Sequence, residues 1–274
     1  WRRPLSTMAA PLIFLRACNS ISPEPMSDFL QQMAASSAER AATARRRYRD
    51  NELDLPVSPL RFSGFDVIAE IKEHSPSEGA LAGQDSDRLQ QARHYAAGGA
   101  IAVSVLTEPS RFGGELAHLR DVAAELAAVG IPAMRKDFLV DPAQLLEARA
   151  HGASGALLIT AMQSDDELVG MLDCASEHSL FVLLEAFDED DLQRTAKLLE
   201  LERFASQAEA GQLLVGVNTR NLRTLAVDPN RLQALAARLP ANALCVAESG
   251  LQTAADAAAA ANLGYRLGLV GTAL

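Results

Sequence analysis

The chain has 274 residues and a net charge of -10, and 49% of its residues are hydrophobic. This length and apolar content predict one large globular domain, and the lack of a segregated basic face excludes a general nucleic-acid binder, which must neutralise phosphates. The three cysteines, Cys18, Cys174 and Cys245, are an odd number without metal-binding spacing. They indicate a reducing, cytoplasmic compartment rather than an oxidising one.

The amino-terminal residues 1–25 are predicted to be a leader outside the folded protein. They contain an arginine pair and the apolar run PLIFL, which is too short to span a bilayer and lacks a clean secretory cleavage pattern. The segment has Arg and Ser and no acid before Glu24, so organellar targeting is the alternative interpretation.

A helical extension is expected over residues 26–60. The sequence from Met26 predicts a helix capped at Ser27, with Phe29, Leu30 and Met33 on one side. An apolar helix face needs a partner, so we expect this helix to close one end of the domain that follows, at its bottom or its rim.

Eight strand-length apolar runs occupy the rest of the chain, at residues 66–72, 101–107, 132–137, 156–160, 181–186, 213–220, 243–249 and 267–272. Between them lie stretches with helical spacing, including residues 116–129, 141–151, 165–177 and 229–239. Eight alternating strand and helix units predict a (β/α)8 TIM barrel, which with the extension forms one domain over residues 26–274. A doubly wound open sheet is the alternative, but it would need a Gly-rich phosphate turn, and no G-x-G-x-x-G occurs. The sequence stops after LGLVGTAL, so the helix that normally follows the eighth strand is expected to be missing, leaving an apolar strip.

Charged and polar residues stand at the carboxyl ends of these strands, where barrels carry their chemistry. Glu70 and Lys72 are two apart on the first strand, so both point to one face. The other strand-end residues are Lys136, Glu185, Asn218, Arg220 and Glu248. Each has an ordinary alternative, such as a surface pair between Lys136 and its neighbour Asp137, a helix cap for Glu248 or a solvated loop charge for Arg220. As a set they predict one active site at the barrel mouth.

A phosphate site is predicted in the last two loops. Strand seven runs into Glu248-Ser249-Gly250 and strand eight into Gly271-Thr272, and glycine lets backbone N–H groups approach an anion. Ser75 could add a hydroxyl from the first loop, although turn chemistry around Pro76 explains it equally well.

An ordered set of motifs carries a family resemblance: EIKEHSPSEG, SVLTEPSRFGG, MRKDFLVD, ALLI, LLEAFDEDDL, GVNTRNLRTLAVD, AESGLQT and LVGTAL. From Met26 to the last residue, the chain resembles indole-3-glycerol phosphate synthase. The resemblance implies a cofactor-free, metal-free lyase of tryptophan biosynthesis that closes the ring of 1-(2-carboxyphenylamino)-1-deoxyribulose 5-phosphate. Its partners would be this phosphorylated small molecule, no nucleic acid and no membrane, with other enzymes of the pathway as candidate protein partners.

The resemblance also implies catalytic roles. Lys136 of RKDF would be the general acid for condensation, and Lys72 of EIK would bind a substrate anion and assist proton transfer. Glu185 would be an electrostatic or acid–base partner of the lysines. Glu70, oriented by Asn218, would serve the dehydration step.

Substrate binding is implied for a further set. Arg220 and Glu248 would position polar parts of the substrate. The phosphate would be held by Ser75, Gly250, Gly271 and Thr272, with Ser249 in the same loop. The anthranilate ring would lie in an apolar slot of Pro76, Phe112, Phe138 and Leu157.

Three positions depart from the usual family pattern. Glu78 replaces the lysine of SPSKG, Thr219 replaces the second asparagine of NNR, and Thr272 replaces a serine while keeping a hydroxyl. Two other functions remain open, a catalytically silent sugar-phosphate-binding or scaffold barrel and a related phosphoribosyl isomerase. The isomerase should present cysteine and aspartate, or two aspartates, at its strand ends, and the silent barrel needs no opposed acid and base.

Overall fold

Eight parallel strands close into a barrel in the computed structural model, which describes residues 28–44, 48–71, 74–75, 79–80, 88–224 and 226–271. The strands are β1 (Asp66–Ile71), β2 (Ala102–Leu106), β3 (Ala133–Lys136), β4 (Gly155–Ile159), β5 (Phe181–Ala186), β6 (Leu213–Asn218), β7 (Cys245–Glu248) and β8 (Leu267–Val270). Each strand pairs with the next along the chain, and β1 also pairs with β8. The predicted barrel is therefore confirmed, and the open doubly wound sheet is wrong because the sheet has no free edge.

Side-chain alternation along the strands separates an inner and an outer core. In β1, Ile68 belongs to the inner cluster, whereas Ala69 and Ile71 belong to the outer layer beneath the helices. Successive side chains of a strand point to opposite faces, so Glu70 shares the inward direction of Ile68. Because the same alternation holds for every strand, the last inward residue of each one lies at the carboxyl mouth of the barrel.

Eleven α-helices lie in the described part of the chain: α1 (Asp28–Ala44), α2 (Asp50–Leu53), α3 (Arg88–Ala97), α4 (Pro109–Phe112), α5 (Leu116–Ala127), α6 (Pro142–Ala150), α7 (Asp165–Glu177), α8 (Glu189–Leu198), α9 (Glu202–Glu209), α10 (Arg231–Leu235) and α11 (Ala254–Asn262). The stretch predicted at 165–177 is confirmed to the residue, because Ser164 and Glu167 form a capping box that sets its start. The stretch predicted at 229–239 is shorter, since α10 gives way to a 3-10 turn at Ala236–Arg238.

The leading helix α1 lies at the carboxyl rim of the barrel, one of the two positions expected for it. Its residues Leu30 and Met33 are buried in the inner cluster. Ser37 accepts a hydrogen bond from Gln144 Nε2 at 2.9 Å, and Arg40 reaches Asp137, directly after β3. The extension thus supplies part of the wall around the mouth.

The segment after α2 runs to the opposite, amino-terminal end of the barrel. Ser58 N donates to Ser154 Oγ at 3.0 Å, just before β4 begins. The ring of Phe62 lies against Gly211, where any Cβ would collide with it. The extension therefore contacts both ends of the barrel.

Parts of the sequence-based expectations fall outside the described residues, namely the leader 1–25, the cap at Ser27, and Lys72 and Thr272 at the ends of the first and eighth runs. One element was not expected, a two-stranded antiparallel hairpin that pairs residues 74–75 with 79–80. Among the described helices, none has the combined length and apolar character needed to cross a bilayer.

Candidate active site

Lys136 is the centre of a charged group at the carboxyl mouth of the barrel. Its Nζ lies 3.0 Å from Glu70 Oε2 and 3.7 Å from Glu248 Oε2. The Lys136 side chain is 18% exposed, whereas Glu70, Glu185 and Glu248 are 7%, 1% and 0% exposed. Four residues from four strands thus meet at the barrel mouth, and the lysine is the most exposed of them.

The carboxylates keep Lys136 protonated. Burial by itself lowers the pKa of this lysine, but the charges of Glu70, Glu248 and Glu185 outweigh burial and raise the pKa above its ordinary value. A lysine that stays protonated at neutral pH can donate a hydrogen bond to a developing oxyanion, and it can give up the proton once that oxygen is more basic than the amine.

The pKa of the buried Glu248 carboxyl group is raised above that of an exposed glutamate. Burial raises its pKa well above 4.5, Glu185 raises it further, and Lys136 counteracts both. The groups that act on the Glu248 carboxyl are the neighbouring carboxyl groups of Glu185 and Glu70 and the ammonium of Lys136. Burial among other carboxyl groups therefore makes Glu248 keep its proton to a higher pH than an exposed glutamate does.

Glu248→Gln is therefore expected to stabilise the fold at neutral pH while impairing catalysis. In the wild-type protein the folded state keeps a proton on Glu248 that the unfolded chain loses above about 4.5, so this group's contribution to stability falls as pH rises from that value. The slope approaches about 1.4 kcal/mol per pH unit while one proton is involved. Glutamine does not titrate, so the variant lacks this loss of stability at higher pH.

Melting temperatures of both proteins between pH 5 and 8 test this, and the advantage of the variant should grow with pH. A constant or shrinking difference would mean that Glu248 is ionised in the folded protein. Glu209→Gln, on the outer helix α9, is the matched control and should show no such trend.

Gly216 makes the burial of Glu248 possible, and the sequence analysis did not single it out. A Cβ at Gly216, in the middle of β6, would collide with Glu248 Oε1. The available signal was a glycine inside an otherwise apolar strand, which often marks close approach of another group.

Asn218 links the loops that follow β6 and β7. Its Oδ1 accepts hydrogen bonds from Arg220 N and from Ser249 Oγ, both at 2.9 Å. A carboxylate accepts hydrogen bonds, so any hydrogen bond between Asn218 and the Glu70 carboxylate must be donated by the amide nitrogen of Asn218.

The predicted phosphate loops have a backbone that suits anion binding. Ser249 and Gly250 have φ values of 64° and 76°, a left-handed pair that turns the backbone sharply after β7. In the eighth loop, Gly271 lies against Glu70, since a Cβ there would stand 3.1 Å from Glu70 Oε1. Glycine at position 271 therefore leaves room for the Glu70 carboxylate and is also part of the predicted phosphate loop.

Three phenylalanine rings pack together close in sequence and space to the end of β3, where Lys136 lies. The rings of Phe112 and Phe138 are 6.2 Å apart and tilted, and Phe29 of α1 meets Phe138 edge-on at 5.9 Å. Leu157 of β4 belongs to the same inner cluster. Phe29 was expected on the apolar side of the leading helix, but only the structure places it beside the predicted slot.

The surface pair suggested as an ordinary alternative for Lys136 does not exist. Its neighbour Asp137 is buried and faces the other way, where Oδ1 accepts from Arg40 Nη2 at 2.8 Å and Oδ2 accepts from Thr107 Oγ1 at 2.8 Å. Arg135 Nη2 also donates to Oδ2 at 3.1 Å. Adjacent residues at a strand end point to opposite faces, so this second cluster supports β3 from outside while Lys136 faces the mouth.

The described residues thus bring Glu70, Lys136, Glu185 and Glu248 together, with Asn218, Ser249, Gly250 and Gly271 in the adjoining loops. Arg220 is half-buried at the start of the β6 loop, and Glu248 caps no helix. Lys72, Pro76 and Thr272 lie outside the described residues, and for Ser75 only the backbone strand is described.

Comparison with known proteins gives a consistent family. A sequence model described as "Indole-3-glycerol phosphate synthase" matches residues 31–274. The indole-3-glycerol phosphate synthase of Nocardioides sp. (strain JS614) is 45% identical over 226 residues, which cover 81% of this chain and 81% of that protein. Indole-3-glycerol phosphate synthase 1 of Streptomyces coelicolor is 43% identical over 236 residues, 86% of this chain and 80% of that protein.

Solved structures share the barrel at much lower identity. Phosphoribosyl anthranilate isomerase from Thermotoga maritima superposes with a TM-score of 0.50 at 13% identity, covering 76% of this chain and 88% of that one. For 3-hexulose-6-phosphate synthase from Salmonella typhimurium the TM-score is 0.54 at 14% identity, with 76% and 90% covered. At these identities the likeness concerns the fold alone.

Proposed function

This chain belongs to the indole-3-glycerol phosphate synthase family, and we propose that the charged group around Lys136 is its catalytic centre. The activity is closure of 1-(2-carboxyphenylamino)-1-deoxyribulose 5-phosphate to indole-3-glycerol phosphate, with loss of carbon dioxide and water. The protein is therefore a decarboxylating lyase of tryptophan biosynthesis. The observation that carries the assignment of the centre is an ammonium group held among three buried carboxyl groups at the barrel mouth.

Lys136 is the general acid of the condensation step. A bond forms between the ring carbon that bears the carboxylate and the ketone carbon, and the ketone oxygen takes a proton from Lys136. Loss of carbon dioxide then returns the electron pair of the broken bond to the ring. Lys136 is protonated when the oxyanion develops. An alkoxide is far more basic than an amine, so the proton moves to it even though the raised pKa makes the lysine a weaker acid.

Glu70 is the base of the dehydration step. The hydroxyl formed in the first step leaves as water with a proton from an acid, and the carbon next to the nitrogen loses a proton to a base. Glu70 lies 3.0 Å from Lys136, so acid and base stand side by side. Lys72, outside the described residues, is our candidate for binding a substrate anion and assisting proton transfer, and Asn218 for orienting the base.

Glu185, Glu248 and Arg220 complete the polar side of the site. Buried Glu185 raises the pKa of Lys136 and thus keeps the acid charged. Glu248 and Arg220 position polar groups of the substrate. Phosphate binding is assigned to Ser75, Ser249, Gly250, Gly271 and Thr272.

The anthranilate ring is assigned to the aromatic group, with Phe112, Phe138 and Leu157 as its walls and Pro76 as a further contact. The contact of Phe29 with Phe138 supports adding the leading helix to this slot. Cytoplasmic residence stays a proposal based on cysteine usage, and Cys174 and Cys245 are free thiols in the described part of the chain.

The alternative functions are weaker. An isomerase role is disfavoured because the family match is to the synthase, whereas the isomerase structures share the fold only. A silent sugar-phosphate-binding barrel gives no reason to bury three carboxyl groups around a lysine, an arrangement that costs stability.

Turnover of the anilino-ribulose phosphate, followed by indole fluorescence, tests the function directly. We expect indole-3-glycerol phosphate and carbon dioxide in equal amounts without added metal or cofactor. Binding of the substrate without product would support the silent barrel instead, and release of an isomerised sugar phosphate would support the isomerase.

A further inference from the structure

A buried arginine joins the loops that follow β5 and β6. Arg223, near the tip of the β6 loop, is 9% exposed and donates from Nη2 to Asp191 Oδ1 at 2.7 Å and from Nη1 to Asp191 Oδ2 at 3.0 Å. Arg223 Nη1 also donates to Asp188 Oδ2. Forked pairing of this kind fixes direction as well as distance. We call Arg223, Asp188 and Asp191 the Arg223 cluster.

The acceptors of this cluster sit directly behind a catalytic strand. Asp188 and Asp191 cap and begin α8, and Asp191 Oδ2 also accepts from Phe187 N at 3.0 Å. Phe187 is fully buried and lies two residues after Glu185, and the Arg223 guanidinium stands 5.7 Å from its ring centre. Arg223 is thereby fixed relative to the end of β5.

The loop on the other side carries two site residues at its base. It leaves β6 at Asn218 and folds back on itself, with Asn221 N donating to Ala226 O at 2.9 Å and Asp228 N to Thr219 O at 2.9 Å. Arg220 pairs with Val227 across this base. The position of Arg220 therefore depends on the loop keeping its shape.

A second arginine, Arg231, anchors the start of the β6 loop, whereas Arg223 anchors its tip. Arg231 Nη1, from α10, donates to the carbonyl oxygens of Asn218 and Thr219 at 3.0 and 2.9 Å. The Arg231 contacts fix the strand end, but they do not connect the loop to β5. The Arg223 side chain makes this connection through its bonds to Asp188 and Asp191.

We propose that Arg223 is a positioning residue for the reaction: by joining the β6 loop to the start of α8, it keeps Arg220 and Asn218 in register with Glu185. This rests on the catalytic centre proposed above. Arg223 itself bonds to carboxylates on the flank of the mouth and transfers no proton. Arg220 is assigned to substrate binding rather than to proton transfer, so a loosened loop should weaken substrate binding more than it slows the chemical step.

Arg223→Met removes the fork and keeps much of the stem. Because Arg220 positions the substrate, we expect KM to rise by about tenfold and kcat to fall by less than that. Amide hydrogen exchange in residues 219–228 should become faster, since the folded-back loop loses its anchor. This second measurement does not depend on activity.

Stability and positioning must be separated, because Arg223→Met leaves Asp191 as a buried, unpaired carboxylate. The double variant Arg223→Met with Asp191→Asn removes that charge and keeps an oxygen for Phe187 N. It should melt closer to the wild-type temperature and still show the raised KM. Arg203→Met is the matched control, since Arg203 pairs with Asp173 at 2.8 Å and stacks on Phe204 on the outer helices.

A raised KM and faster loop exchange in both Arg223 variants, with Arg203→Met unchanged, support the proposal. KM and kcat within twofold of wild type in the double variant would overturn it, as would unchanged exchange in residues 219–228 or an equal KM defect in Arg203→Met. If the wild-type protein itself shows no turnover, the proposed function fails, and the exchange measurement still decides whether Arg223 holds the loop.

Discussion

Lys136→Met is expected to lower kcat by about two to four orders of magnitude, the range that general acids contribute. Methionine keeps most of the stem volume and removes the ammonium that we propose donates the proton. Substrate binding should be largely kept, because Phe112, Phe138 and the phosphate loops are untouched. Steady-state kinetics together with product binding by fluorescence titration measure both quantities.

Lys197→Met is the control for this variant, since Lys197 is exposed on α8, on the outside of the barrel. It should behave as wild type. Circular dichroism must establish that Lys136→Met is folded, because its removal leaves three carboxyl groups without their described cation. Near-normal turnover in the folded variant would remove Lys136 from the mechanism.

Gly250→Val is expected to raise KM by about 10- to 100-fold while affecting kcat much less. Gly250 has a φ of 76°, and a side chain in that conformation is strained by roughly 1–2 kcal/mol. Valine would also block the approach of a phosphate to the backbone N–H groups, each worth about 1.5–3 kcal/mol to a charged acceptor. Inhibition by inorganic phosphate should weaken in parallel.

The strain of the substitution is controlled by Gly99→Val. Gly99 has a φ of 89° in an exposed turn before β2, at the amino-terminal end of the barrel, with nothing near its Cβ position. Gly99→Val introduces the same kind of backbone strain at the opposite end of the barrel from the mouth, so the KM of this variant should be unchanged. If Gly250→Val altered only kcat and phosphate inhibited as before, the phosphate site would lie elsewhere.

The sequence by itself determined the barrel and the end of it at which charged side chains gather. Strand-length apolar runs and helical stretches are local patterns, and all eight runs became strands within a few residues of their predicted ends. The inward direction of Glu70 and Lys136 was also predictable, since alternation along a strand is a property of the backbone. The ordered motifs then indicated the family, because such a set is specific even where each motif is weak.

Only the tertiary structure decided which groups meet. Lys136 pairs with Glu70, 66 positions away, at 3.0 Å, whereas its neighbour Asp137 pairs with Arg40 behind the strand. Gly216, Phe29 and Arg223 acquired their positions from elements distant in the chain, and the choice of the rim for α1 came from contacts with β3 and α6. Local sequence sets the direction of a side chain, but its partner depends on the closure of the barrel, which brings together residues that are remote along the chain.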